Sequence, residues 1–153
     1  MINFFLILLI AITGNQSFTK DVRETVKAIQ IVESEGNPNI LGDLKYKYNY
    51  SVGLGQIRIK TGVWTINRLV PDGIIKRMLQ KELRKHGIEK LLLNPTINTY
   101  LSRVYLKWLK RYHRGQIKEA IISYNTGQRA SKKIRNNAGI IYYNKFKKAF
   151  SKL

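Results

Sequence analysis

The chain has 153 residues, 44% of them hydrophobic, which is enough for one domain with its own core and no covalent staples. The absence of cysteine excludes a disulfide scaffold and a thiolate metal site, and the two histidines, His86 and His113, form no ligand cluster, so no metal or cofactor is expected. A net charge of +19 favours polyanionic partners: nucleic acid, anionic lipid or acidic wall polymers.

In chain order, 3–12 is an apolar run of the length of a signal-peptide core and too short to span a bilayer unaided. Small and polar residues follow at 13–17, so 1–17 reads as a signal peptide and 18–153 as the mature domain. No Lys or Arg precedes the apolar run, which leaves an uncleaved membrane anchor or a buried N-terminal helix as alternatives. An exported protein meets envelope polymers before nucleic acid, so export and charge together favour the wall, with no specific nucleic acid.

A first helix is expected over 20–35, stopped by Gly36 and barred by Pro38. Val22, Val26 and Ile29 share one face of it, and at about 100° per residue position 33 falls back into the same arc. Glu33 therefore stands where the pattern wants an apolar residue, and Glu35 points nearly opposite. Buried acids are rare unless paired or used. The helix end presents partial negative charge, and burial disfavours ionisation further, so both raise the pKa of Glu33 toward that of a general acid.

From 37 to 51 the pattern is lost, and a long loop or weak hairpin is expected across one side of the domain. Gly53-Leu54-Gly55-Gln56-Ile57 opens a second helix over about 58–69. A turn at Pro71-Asp72-Gly73 leads to a basic helix over 74–86, closed by Gly87. Asn94-Pro95 starts the longest helix, which runs to Arg114-Gly115. Further helices cover about 116–124, ending in Asn125-Thr126-Gly127, and 140–150. The whole reads as a single compact all-helical domain.

Four segments occur in a fixed order: Glu33-Ser34 with Gly36-Asn37-Pro38; Ser51-Val52-Gly53-Leu54-Gly55-Gln56-Ile57; Asn94-Pro95 with Asn98 and Tyr105-Leu106; and Ser123-Tyr124-Asn125-Thr126-Gly127. This order resembles the soluble lytic transglycosylases of the goose-type lysozyme superfamily, over about 22–150. The resemblance implies a lysozyme-like fold, a peptidoglycan substrate and a single catalytic acid, matched by Glu33. Ser34 matches the serine that helps position substrate or acid. Gln56 matches the glutamine lining the sugar groove. Tyr124 and Asn125 match residues that support the acid and contact the sugars, and Tyr142 matches a further tyrosine of the last helix, a role Tyr143 could take by a shift of one. Two departures stand out. Gly55 replaces the family's usual methionine, and Ser123 replaces the usual alanine.

The resemblance implies that one acid both protonates the bond between N-acetylmuramic acid and N-acetylglucosamine and then deprotonates the muramic C6 hydroxyl. A 1,6-anhydro ring closes and no water enters. Hydrolysis would instead need a second carboxylate. Asp43, in the loop, is the one plausible candidate, and it also reads as an ordinary turn residue. The alternatives are thus a hydrolysing muramidase and a basic wall- or nucleic-acid-binding protein without turnover. Small size suits a monomeric helper that opens the wall locally for a secretion system or a phage, in the envelope or on a virion. Trp64 and Trp108 fit core packing better than sugar stacking. Tyr46, Tyr48 and Tyr50 fit either sugar stacking or an exposed hairpin.

Overall fold

The computed structural model describes residues 4–13 and 18–153. Helix α1 (Phe4–Thr13) packs on α4 (Ile74–His86) and α6 (Pro95–Tyr112), burying Leu8 and Ile12. Apart from Thr13, the expected cleavage region lies outside the described residues. No helix among those described is long and apolar enough to cross a membrane.

Helix α2 (Lys20–Ser34) starts where Thr19 caps it, the side chain accepting from the Val22 amide. Val22, Val26 and Ile29 are buried on the predicted face, and Ala28 is buried beside it. The helix stops one residue before the expected glycine: Glu35 itself takes the left-handed conformation (φ 53°), and Gly36 follows at φ 80°. Two successive left-handed residues turn the chain sharply away beside Glu33.

The expected loop or hairpin is a small antiparallel sheet with three strands, in the order β1 (Leu41–Gly42), β2 (Ser51–Val52), β3 (Ile57–Arg58). Leu41 pairs with Val52, and Val52 with Ile57. The glycine-rich motif is therefore the β2–β3 turn and does not open a helix directly. Helix α3 (Ile59–Trp64) starts only after β3 and continues as one wider π turn over Thr65–Leu69.

Helix α4 keeps its predicted limits and ends at Gly87. A short α5 (Ile88–Leu93), not expected from the sequence, comes next. The long α6 is capped by the Asn94 side chain with Pro95 in its first turn, and its buried face carries Ile97, Leu101, Leu106 and Leu109. Then come α7 (Ile117–Thr126), a short α8 (Lys132–Ile134) running into a π turn over Arg135–Gly139, and α9 (Ile140–Phe150). The fold is mostly helical and lysozyme-like, with the sheet on one side. Helix α9 packs along α2, so its residues back the end of α2 that holds Glu33.

Candidate active site

The sheet, the end of α2 and the end of α7 enclose a cleft of about 230 Å³, lined by Glu33, Asp43, Gln56, Arg58, Tyr105, Tyr124 and Asn125 among others. Glu33 is partly buried at its edge. Desolvation is the largest influence on its carboxyl and lifts the pKa from 4.5 to about 7. A polar contact from Tyr142 opposes this, the charge of Asp43 adds to it, and a weaker polar contact from Asn125 opposes it again. The acid therefore changes protonation state near neutrality, as a proton donor must.

Tyr142, on α9, is buried behind the cleft. Its hydroxyl makes no hydrogen bond of ordinary geometry, but it acts on the Glu33 carboxyl more strongly than any other polar neighbour. Burial and the adjacent acid push its own pKa well up, so it remains a neutral donor. Tyr143 is elsewhere, stacked on Phe146.

Tyr124 lines the cleft, but its hydroxyl is turned to the glycine-rich turn. It lies 3.0 Å from the Gly55 carbonyl and 3.0 Å from Ser102 Oγ. A carbonyl can only accept, so the tyrosine hydrogen goes to Gly55 and the serine hydrogen is left for the tyrosine oxygen or for Asn98 Oδ1, at 3.4 Å. Asn98 completes the lock. It is fully buried in α6, accepts from the Gly55 amide at 2.8 Å, and donates to the carbonyls of Val52 and Leu92 at 2.9 and 2.8 Å.

This network explains the missing methionine. A Cβ on Gly55 would lie 2.2 Å from Ser102 Oγ and 2.7 Å from the Tyr124 hydroxyl. Polar groups already fill the space that a side chain would need.

Gln56 takes a left-handed backbone (φ 45°) and lines the cleft, while its amide donates to the carbonyls of Ile40 and Gly53 at 3.1 and 2.9 Å. It ties the turn to β1. Ser34 is not brought to the cleft: it is buried, and its hydroxyl donates back to the Gln30 carbonyl at 2.9 Å. Ser123 does add hydrogen bonds in the alanine's place. His113 Nε2 lies 2.7 Å from Ser123 Oγ, Arg135 donates to the same oxygen at 2.6 Å, and Arg135 pairs with Glu119. The loop tyrosines divide. Tyr50 donates to Glu89 of α5, Tyr46 lies under the Arg58 guanidinium, and Tyr48 is exposed.

Asp43 shares the cleft with Glu33, held by Ser51 Oγ at 3.2 Å and by Arg58 at 3.1 Å. The sequence offered no site role for Arg58 or Ser102, and Asn98 and Tyr105 entered only as motif residues. A signal existed for two of them. Asn98 and Ser102 interrupt the apolar stripe of α6 as Glu33 interrupts that of α2.

A mostly helical, lysozyme-like fold thus places a partly buried acid at a helix end facing a small sheet. The transglycosylase SLT domain model matches residues 12–146, and the chain belongs to that family, whose members are lytic transglycosylases acting on peptidoglycan. Comparison with curated proteins and with solved structures found no match.

Proposed function

We propose that the protein cleaves peptidoglycan between N-acetylmuramic acid and N-acetylglucosamine with Glu33 as its single catalytic residue. The observation that carries this is the raised pKa of Glu33, which leaves much of it protonated at neutral pH. Glu33 gives its proton to the bridging oxygen as the bond to C1 breaks. The carboxylate then takes the C6 hydroxyl proton while that oxygen attacks C1, closing the 1,6-anhydro ring. Asn125 and Tyr142 stabilise the carboxylate between the two steps. Tyr124 keeps the Gly55–Gln56 turn in place as one wall of the groove. Ser34 acts through the helix, since its hydroxyl stays within α2.

Asp43 favours a second reading. It lines the same cleft and its charge acts on Glu33, as a water-holding carboxylate of a muramidase would. Its engagement by Ser51 and Arg58 favours a structural role instead. Digestion of purified peptidoglycan followed by mass spectrometry separates the readings. Anhydro-muropeptides are expected, and hydrated products alone would establish the muramidase. Wall binding without any release would leave a basic binding protein.

The protein acts in the envelope, reached through the signal sequence at 1–17, and works as a monomer that opens the wall locally for a secretion system or phage. The packing of Leu8 and Ile12 on α4 and α6 favours a second possibility, that α1 is retained as part of the domain or as an anchor. N-terminal sequencing of protein recovered from the envelope decides this, since a start near residue 18 requires cleavage.

A further inference from the structure

A second groove, of about 590 Å³, shares no lining residue with the cleft. Phe18 borders it, just before α2, whereas Glu33 stands near that helix's other end. Fifteen helical residues rise about 22 Å, which sets the acid far from Phe18, while the two linings adjoin across α6, where Tyr105 of the cleft stacks on Trp108 of the groove with ring centroids 6.0 Å apart.

The groove combines aromatic walls with unneutralised cations. Tyr100, Trp108 and Tyr112 of α6 supply ring surface, and Tyr112 is 53% exposed. Arg68, Lys107 and Arg111 line it, and all three are exposed. None of them pairs with an acid among the described residues, and no acid lines the groove. The nearby Asp21 is taken by Lys110 at 2.8 Å. Three like charges gathered around one concavity repel each other until an anion enters.

We propose that this groove is a second, non-catalytic site for a carboxylate-bearing polysaccharide. The apolar face of a sugar ring packs on the exposed Tyr112 ring, which Trp108 backs at 5.3 Å from within an aromatic cluster with Trp64 and Tyr105, as aromatic side chains offer large flat surfaces at small entropic cost. The Arg68 and Arg111 forks take the sugar's or its substituent's carboxylate, a geometry that guanidinium matches with two parallel hydrogen bonds. The choice of polysaccharide over other polyanions rests on the wall-directed reading above. The groove holds one strand while the cleft cuts another, and accounts for part of the +19 charge.

The test is independent of turnover. Binding of soluble polygalacturonate is measured by calorimetry at 0.15 M salt to full-length Glu33→Gln protein, with inorganic polyphosphate, neutral dextran and single-stranded DNA as comparisons. Adding Arg68→Gln with Arg111→Gln, or Tyr112→Ala, is expected to weaken polygalacturonate binding by about tenfold or more. Dextran should not bind, and polyphosphate binding should not respond to Tyr112→Ala. All three residues are exposed, so the fold is retained, and circular dichroism checks it. Unchanged binding in these variants overturns the proposal. An equal loss from the remote pair Lys147→Gln with Lys148→Gln assigns the binding to the general field. DNA bound as tightly, and weakened equally by Tyr112→Ala, makes the groove a nucleic-acid site. A lytic assay that fails while this binding holds would sink the catalytic reading alone.

Discussion

Tyr142 and Glu33 oppose burial with polarity: the tyrosine hydroxyl, enclosed behind the cleft, draws the carboxyl of the acid down while desolvation drives it up to about 7. The two residues come from α9 and α2, far apart in the chain, and meet because these helices pack along each other. The acid's working range is thus set by a balance, and each side of the balance can be changed separately.

Tyr142→Phe removes the influence that lowers the Glu33 pKa, so the alkaline limb of kcat/KM should move to higher pH. Asp43→Asn removes a charge that raises it, so that limb should move to lower pH. Rates across pH 5–9 check both. Shifts in the same direction would contradict the assignment.

Glu33→Gln should cost about a hundredfold to ten-thousandfold in lytic rate, the range of a lost general acid. Its stability effect has a definite sign. The folded pKa lies above the carboxyl's ordinary 4.5, so the acid's contribution is fully present below pH 4.5 and is lost as pH rises through about 7. The glutamine variant avoids that loss. It should exceed the wild type by on the order of 3 kcal/mol at pH 8.5 and match it near pH 4, as read by urea denaturation.

Gly55→Met, which restores the family's usual residue, should destabilise by about 1–3 kcal/mol because Ser102 and Tyr124 occupy the space. Adding Ser102→Gly should recover part of that loss. A double-mutant cycle in thermal or chemical denaturation measures the coupling, and additivity would show that the two positions do not compete.

Asn98→Ala strips the Gly55 amide and the Val52 and Leu92 carbonyls of buried partners. A loss on the order of 3 kcal/mol is expected, seen as a lower denaturation midpoint with an unchanged m-value.

Much of the fold was legible in the residues. The helix at 74–86 falls between the Pro71-Asp72-Gly73 turn and Gly87, because those signals are local, and the helix at 140–150 has its expected limits although the helical turns at 132–139 that lead into it were not expected. The end of α2 was misjudged by one residue, since Glu35 accepts the left-handed conformation assigned to Gly36. The sheet was not resolved from its tyrosine-rich loop. Its strands are two residues each, too short for alternation to register, and they form only by pairing with the next strand across irregular turns.

The site divides in the same way. A lone acid in an apolar stripe, and its neighbouring motifs in order, came from the sequence by itself, because helical periodicity exposes a charge in the wrong place. That Ser34 turns back into its helix, that Tyr124 spends its hydroxyl on Gly55, and that Asp43 lies within the acid's field came only from tertiary structure. Those facts depend on where separate elements meet in space, and on desolvation, which no single segment can supply. The sequence determined which acid stands out; packing determined how firmly its proton is held.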